Sequence, residues 1–216
     1  MDSYKAERAR MVEHQIAGRG IKNKDVLEAM RSVPRHLLLP KSDWGYAYGD
    51  FPVRIGSGQT ISQPYIVALM TELLDVRLED RVLDVGTGSG YQAAILAELA
   101  SEVHSIERYP DLADSASKKL ASLGYTNIHV HTGDGTLGYP PAAPYDRIIV
   151  TAASPSVPEA LLSQLANEGR LVIPVGSRHL QHLEVWNRKG DDFRHETSTS
   201  VVFVPLIGEQ GWDAKD

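Results

Sequence analysis

The sequence predicts an α/β fold in which a mostly parallel sheet carries helices on both faces, with a helical cap before it and an antiparallel edge after it. From residue 62 onward, short apolar strand segments alternate with helical segments, a pattern that favours a parallel sheet with crossover helices. After residue 179, two strand-like segments flank Lys189-Gly190-Asp191-Asp192, which indicates a hairpin at the edge of the sheet.

The length of the chain predicts how these parts are organised. At 216 residues the chain has the size of one domain, and no repeat, low-complexity stretch or linker divides it. We therefore expect a single domain over residues 1–216. Residues 1–61 would form the helical cap and a loop, residues 62–178 the α/β core, and residues 179–216 the antiparallel hairpin and tail.

The individual elements follow from local periodicity. In the cap, helices are expected over residues 3–18, ending at a Gly18 cap, and over residues 24–32, whereas residues 40–59 predict an ordered loop. In the core, helices are expected over residues 64–74, 92–99, 112–123 and 159–166. Strands are expected over residues 81–85, 103–106, 128–131, 147–151 and 171–175, with hairpin strands over residues 183–188 and 198–204.

Composition limits the classes of partner and site. A formal net charge of −6 disfavours tight binding to phosphate backbones, so no nucleic-acid partner is expected. The absence of cysteine rules out disulfides, thiolate metal sites and cysteine nucleophiles, and the eight histidines show no metal pattern, so no metal is expected. No apolar stretch approaches the roughly 20 residues of a bilayer span, and the N-terminus lacks a signal-peptide core, so we expect a cytoplasmic protein without membrane association.

A glycine-rich motif, Val82-Leu83-Asp84-Val85-Gly86-Thr87-Gly88-Ser89-Gly90, joins a predicted strand to a helix. Gly86 and Gly88 allow strained dihedral angles and a close approach of a ligand to the backbone. A dinucleotide site has the spacing G-x-G-x-x-G, whereas here the spacing is G-x-G-x-G. Asp84 would repel a pyrophosphate and attract the ammonium group of S-adenosylmethionine, directly or through water. The motif therefore favours S-adenosylmethionine over a dinucleotide or a tight turn without a ligand.

Two further carboxylates follow the next predicted strands. Glu107 ends the second strand and could accept hydrogen bonds from both ribose hydroxyls, or it could be an exposed strand-end acid. Asp134 could accept from the adenine amino group while the Gly135 amide faces a ring nitrogen, or it could belong to a simple turn. Because ligands of open α/β sheets lie along the carboxyl edge, three acids at that edge favour a nucleoside ligand.

Motifs along nearly the whole chain resemble the protein-L-isoaspartate O-methyltransferase family. They are Val33-Pro34-Arg35, Ala47-Tyr48-Gly49-Asp50, Gly58-Gln59-Thr60-Ile61-Ser62-Gln63-Pro64, residues 83–91, Gly133-Asp134-Gly135, Tyr145-Asp146-Arg147-Ile148 and Val204-Pro205-Leu206. The glycine motif is generic to methyltransferases, whereas the run over residues 58–64 is close to diagnostic for this family. His36 and Arg54 depart from the family pattern, and neither lies on the cofactor motifs.

The resemblance implies a Rossmann-like class I methyltransferase fold with a changed strand order near the C-terminus. It implies transfer of a methyl group from S-adenosylmethionine, leaving S-adenosylhomocysteine, to the free carboxylate of L-isoaspartyl residues in damaged proteins and peptides. The methyl ester then collapses to a succinimide, whose hydrolysis restores part of the normal aspartate. The alternative is another class I methyltransferase that acts on RNA or a small molecule, which would share the cofactor loop but lack the run over residues 58–64.

The resemblance also implies roles for individual residues. Ser62 is implied as the active-site serine in contact with the substrate carboxylate, although it also fits the N-cap of the following helix. The expected substrate-binding residues are Thr60, Ile61, Ser62, Thr151 and Ala152. The expected cofactor-binding residues are Asp84, Gly86, Thr87, Gly88, Glu107, Asp134 and Gly135. Because its substrates would be other proteins, we expect the protein to be a monomer.

Overall fold

The computed structural model describes residues 3–213, so the predicted domain limits at residues 1 and 216 lie outside it. Its strands are β1 (Val53–Gly56), β2 (Gln59–Ile61), β3 (Arg81–Val85), β4 (Glu102–Glu107), β5 (Ile128–Thr132), β6 (Tyr145–Val150), β7 (Leu165–Gly176), β8 (Gln181–Lys189) and β9 (Asp192–Val201). Its α-helices are α1 (Ser3–Arg10), α2 (Lys24–Ser32), α3 (Pro64–Leu74), α4 (Tyr91–Ala97), α5 (Pro110–Ser122) and α6 (Glu159–Ser163). No helix within residues 3–213 has the length and apolar character needed to cross a membrane.

Seven strands form one sheet in the order β5-β4-β3-β6-β7-β8-β9. The pairs from β5 to β7 are parallel, and β8 and β9 add an antiparallel edge. The spatial order of the strands reverses at β3. From β3 to β9 it follows chain order, so the C-terminal hairpin extends the sheet. This arrangement confirms the predicted α/β class, the mostly parallel sheet and its antiparallel C-terminal edge.

The two faces of the sheet bury different apolar clusters because successive strand residues point to opposite sides. On one face, Val82 and Val103 pack with residues of the N-terminal cap and of α3 and α4, including Met30. On the other face, Leu83 and Ile148 pack with α6 and the C-terminal segment. The cap is therefore part of the main core.

The first helix differs from the prediction over residues 3–18. The α-helix ends at Arg10 and continues as a π-helix over Met11–Ile16 and a 3-10 turn over Ala17–Arg19. The wider turn places all three apolar residues of the π segment in the core. The left-handed cap is Gly20, with φ of +102°, so the assignment of the cap to Gly18 was wrong. The second helix matches its predicted range.

Residues 40–59 contain more regular structure than the predicted loop. A 3-10 helix covers Lys41–Tyr46, and β1 and β2 form an antiparallel pair. Ser57 and Gly58 join these strands with φ of +49° and +70°. Positive φ at both central residues is the geometry of a two-residue hairpin turn. This hairpin delivers β2 and the residues after it to the edge of the main sheet.

Two boundaries near the C-terminus also differ. The helix predicted over residues 159–166 ends at Ser163, because Leu165 already pairs with Tyr145 as the first residue of β7. The predicted hairpin exists, but β9 begins at Asp192 and ends at Val201. The pairing of Lys189 with Asp192 leaves only Gly190 and Asp191 in the turn, so the strand lies several residues earlier than predicted.

A cluster of imidazoles lies between β4 and β5. His104 Nδ1 is 3.0 Å from His131 Nε2, and the ring of His131 stacks on Tyr139 at 3.7 Å between centroids. Glu102 lies 3.3 Å from His129 and 3.4 Å from His104. Burial lowers the pKa of His104 and of His131, and the neighbouring imidazoles lower both further, while Glu102 opposes the shift at His104. The folded protein therefore disfavours protons on His104 and His131.

We expect the free energy of unfolding to fall as the pH drops below 6.5, the ordinary histidine pKa. In that range the unfolded chain binds protons that the folded cluster binds less readily, so acid favours unfolding. In urea unfolding, the double variant His104→Phe with His131→Phe should lose less free energy of unfolding than the wild-type protein between about pH 7.5 and about pH 5.5. Replacement of the exposed His179 by Phe is the control, and equal losses in all three proteins would contradict the assignment.

Candidate active site

A cavity opens where the parallel strands of the sheet end, and it encloses about 890 Å³ including its mouth. Three kinds of segment form the wall: the region from β2 into α3, the loops that follow β3, β4, β5 and β6, and the C-terminal segment after β9. Within residues 3–213, the charged lining residues are one carboxylate, Glu107, and one cation, Arg108. Uncharged residues of the wall include Thr60, Ile61, Ser62, Gly86, Thr87, Gly88, Tyr91, Gly135, Thr151 and Ala152.

The glycine loop is held open for a ligand by its backbone. Gly86 and Gly88 have φ of +105° and +51°, which favour glycine. A Cβ on Gly86 would lie 2.5 Å from the hydroxyl of Thr151, and a Cβ on Gly135 would lie 2.6 Å from Val85 Cγ1. Any larger residue would therefore push into neighbouring walls. The loop and Gly135 form a cradle in which a ligand can approach main-chain atoms directly.

Glu107 lies at the end of β4, as the sequence predicts. It is 5 % exposed and accepts hydrogen bonds from the amides of Gly88 at 2.8 Å and Tyr109 at 3.0 Å. These bonds fix the carboxylate against the glycine loop. Because an ionised carboxylate offers about four acceptor positions, it can still accept from two hydroxyl groups of a ligand.

Asp84 is not on the cavity wall, and its expected contact with the cofactor, directly or through water, stays a prediction. It is fully buried, and its Oδ2 accepts from the hydroxyl of Ser105 at 2.7 Å. The same Ser105 oxygen lies 2.6 Å from Thr87 Oγ1, so the three side chains connect β3 and β4 to the loop. Burial raises the pKa of Asp84 to about 7, and the charge of Glu107 adds to the rise. Asp84 supports the glycine loop from within the sheet.

Asp134 also lies off the wall, although Gly135 beside it lies on it. Its Oδ1 accepts from the amide of Thr136 at 2.9 Å and from the Thr136 hydroxyl at 2.7 Å. Its Oδ2 accepts from the amide of Glu209 at 2.8 Å. The contact expected between Asp134 and the adenine amino group stays a prediction, and in this structure both carboxylate oxygens accept hydrogen bonds from the protein. The carboxylate caps the short helical turn that begins at Gly135 and ties it to the C-terminal segment.

Ser62 and its neighbours line the same cavity as the glycine loop. Thr60, Ile61 and Ser62 line the cavity, with Thr151 and Ala152 from the end of β6. The backbone carbonyl of Ser62 accepts from Arg35, and no hydrogen bond within residues 3–213 uses its hydroxyl. Ser62 is not the N-cap of α3, because Gln63 occupies that position without a side-chain capping bond. Its hydroxyl is consequently free for a ligand.

A second groove adjoins the cavity on this side, and Thr60, Ser62 and Thr151 line both. Its volume is about 1260 Å³ including open solvent, and no charged residue of the described chain lines it. Leu180 and Val202 are 52 % and 73 % exposed at its edge. The site is thus a deep pocket that continues into an uncharged surface groove, a shape that can hold a small cofactor beside a polypeptide.

Sequence reasoning missed several wall residues. Arg108 and Tyr109 follow Glu107 at the end of β4, so the same strand-end argument could have included them. Tyr91 begins α4 directly after the glycine loop. The run Val204-Pro205-Leu206 contributes to the resemblance, yet no role follows from its residue types alone, and only the folded chain brings it to the cavity.

Comparison with known proteins agrees with this geometry. The family model described as protein-L-isoaspartate(D-aspartate) O-methyltransferase matches residues 6–211. A protein-L-isoaspartate O-methyltransferase from Methanoculleus marisnigri is 57 % identical over 99 % of this chain and 97 % of its own length. One from Methanoregula boonei is 58 % identical over 96 % of this chain and 95 % of its own.

Solved structures give the same result. A structure described as protein-L-isoaspartate O-methyltransferase superposes with a TM-score of 0.84 at 27 % identity, covering 96 % of this chain and 67 % of that chain. One from Plasmodium falciparum, in complex with S-adenosyl-L-homocysteine, has a TM-score of 0.81 at 27 % identity, covering 93 % and 98 %. The matched residues, the identities and the shared fold together establish that the chain belongs to the protein-L-isoaspartate(D-aspartate) O-methyltransferase family.

Proposed function

We propose that this chain repairs damaged proteins and peptides by methylating the free carboxylate of their L-isoaspartyl residues with S-adenosylmethionine. The observation that carries the proposal is the continuous site, in which the glycine cradle, Glu107 and Ser62 line one cavity. The uncharged groove beyond Ser62 gives a polypeptide access to the cavity. The family match points to the same activity.

The cofactor half of the site is formed by main-chain atoms and one acid. Gly86, Thr87, Gly88 and Gly135 offer backbone that a ligand can approach closely, and Glu107 accepts from the ribose hydroxyls. Asp84 acts through Ser105 and Thr87, so it contributes to cofactor binding by fixing the loop. When bound, S-adenosylmethionine supplies a methyl group activated by the positive sulfonium.

The acceptor half needs no strong base. A carboxylic acid with a pKa near 4 is ionised at neutral pH, and the described wall contains no histidine or lysine. The contribution of the chain is alignment of the carboxylate and exclusion of water. The Ser62 hydroxyl donates to one carboxylate oxygen and orients it, and it forms no covalent bond to the substrate.

The substrate residues follow from the shape of the same wall. Thr60 and Ile61 precede Ser62 along one side, and Thr151 and Ala152 face the site from the end of β6. Their small or medium size lets a peptide backbone come close to the reacting carboxylate. The hydroxyl of Thr151 is committed to the carbonyls of Val85 and Gly86, so this residue provides contact area and shapes the glycine loop.

We further propose that the protein acts as a single-domain cytoplasmic monomer without a nucleic-acid partner. The shared apolar cluster of cap and sheet supports one domain, since residues such as Met30 and Val103 pack in it together. The net charge of −6 disfavours RNA as the acceptor. A monomer leaves the groove accessible to other chains.

The decisive experiment measures methyl transfer from labelled S-adenosylmethionine to two peptides that differ only in an L-isoaspartyl or an L-aspartyl linkage. Base-labile label on the isoaspartyl peptide alone supports the proposal. Total RNA and a mixture of small carboxylic acids serve as further acceptors. Label on RNA or on the small acids, and none on the isoaspartyl peptide, would sink it.

Replacement of Ser62 by Ala should lower kcat/KM for the isoaspartyl peptide by about 10²-fold, because the acceptor loses its alignment. The affinity for S-adenosylhomocysteine should stay within about twofold, since Ser62 lies outside the cofactor half. Isothermal titration and initial rates measure the two quantities. The control is Ser122→Ala on the exposed end of α5, and a parallel loss of cofactor affinity in the Ser62 variant would refute the assigned role.

Two substitutions at Asp84 test whether it acts by hydrogen bonding or by charge. Asn keeps an acceptor for Ser105, so Asp84→Asn should retain affinity for S-adenosylhomocysteine within a fewfold, roughly 1 kcal/mol. Leu removes the acceptor, so Asp84→Leu should weaken binding by about tenfold or more. Equal losses in the two variants, measured by titration calorimetry, would instead indicate that the charge of Asp84 attracts the ligand ammonium.

A further inference from the structure

Arg35 is the largest side chain that the described residues bury completely. It lies just after α2, in a 3-10 helix over Arg35–Leu38. Its Nε donates to the carbonyl of Ala47 at 2.7 Å, and its Nη2 donates to the carbonyl of Ser62 at 2.8 Å. The guanidinium carbon lies 4.7 Å from the ring centroid of Tyr91. One side chain therefore joins the cap to three other parts of the protein.

This burial is energetically expensive. Within residues 3–213 no carboxylate forms an ion pair with Arg35, and its Nη1 has no hydrogen-bond partner. Burial lowers the pKa of Arg35 to about 10, so the group still carries its charge at neutral pH. An unpaired buried cation destabilises the folded protein, whereas an apolar side chain of similar volume would fill the same space without that penalty. Packing alone does not account for an arginine here.

The partners of Arg35 indicate what the charge does. Ser62 carries the hydroxyl assigned to the acceptor carboxylate, and Ala47 lies in the segment that leads to Pro52 on the groove. Tyr91 lies on the cavity wall. The rigid fork of a guanidinium can hold two carbonyls at a fixed separation, which a lysine cannot reproduce. Since misplacement by 1 Å can cost about 10²-fold in rate, a bond to the backbone of Ser62 bears directly on catalysis.

We propose that Arg35 is a positioning residue for methyl transfer, which holds the backbone of Ser62 so that its hydroxyl meets the acceptor carboxylate. Arg35 is absent from the cavity wall, so it touches neither the cofactor nor the substrate and acts through Ser62. The inference rests on the proposed function, because it concerns the alignment of that acceptor.

Arg147 provides a matched control. It is also buried, at 7 % exposure, and it donates to two backbone carbonyls, those of Asp75 and Asp146. It differs in having a carboxylate partner, Asp80, at 3.3 Å, and in not lining the cavity. Replacement of either arginine by lysine disturbs a buried hydrogen-bonded cation, but only Arg35 contacts Ser62.

The test compares Arg35→Lys, Arg147→Lys, Ser62→Ala and the double variant Arg35→Lys with Ser62→Ala. Rates are expressed per cofactor site, counted by titration with S-adenosylhomocysteine, so that unfolded protein does not contribute. Arg35→Lys should lower kcat with the isoaspartyl peptide by about 10²-fold and leave the KM for S-adenosylmethionine within about twofold. Arg147→Lys should keep the wild-type kcat, even if it lowers the melting temperature as much as Arg35→Lys does.

The double variant identifies the route of the effect. If Arg35 acts through Ser62, the double variant should be about as slow as Ser62→Ala alone, because the two changes remove one function. Losses that multiply, an unchanged kcat in Arg35→Lys, or a failure of that variant to bind S-adenosylhomocysteine would each overturn the proposal. A wild-type protein without activity on isoaspartyl peptide would instead overturn the proposed function itself, and the positioning role with it.

Discussion

The pairing of β3 between β4 and β6 is the constraint on which the site depends. Val85 is in register with Ile106 on one side and with Val150 on the other, so the next residues of all three strands meet at one edge. Hydrogen bonds from Gly86 to Ile106 and from Thr151 to Val85, both 2.9 Å, carry this register into the loops. A shift of one residue between β3 and β4 would separate the glycine loop from Glu107, and a shift between β3 and β6 would separate it from Thr151. The cofactor half is thus built mainly from backbone.

Buried polar groups next to this edge then set the details. The chain from Thr87 through Ser105 to Asp84 fixes the glycine loop, and Arg35 ties the cap to Ser62. Both arrangements place desolvated polar atoms one layer away from the cavity. Such atoms lose their hydration energy on folding, and their hydrogen bonds specify a single position for the residues they hold. In-line methyl transfer requires precise placement of the reacting groups, and these buried hydrogen bonds support that placement from behind the cavity wall.

The two halves of the site differ in how they meet their ligands. The cofactor half is a narrow cradle in which a Cβ on Gly86 or Gly135 would collide with its neighbours. The acceptor half opens into a broad groove without charged lining residues among those described. This contrast suits an enzyme with one invariant small ligand and many different polypeptides, because the groove accepts backbone without selecting a particular charge.

The sequence by itself determined the fold class, the glycine loop, the position of Glu107 and the importance of the segment that contains Ser62. The fold class, the glycine loop and Glu107 depend on local periodicity and on short spacings, whereas the segment that contains Ser62 is indicated by its resemblance to the family. Only the tertiary structure decided that Asp84 and Asp134 turn away from the cavity, that residues 53–61 form a hairpin, and that Arg35 meets Ser62. The bonds of Asp84 to Ser105, of Asp134 to Glu209 and of Arg35 to Ser62 join residues 21, 75 and 27 positions apart, and no local pattern records that choice of partner. The hairpin is local, but strands of four and three residues leave too little periodicity to predict it.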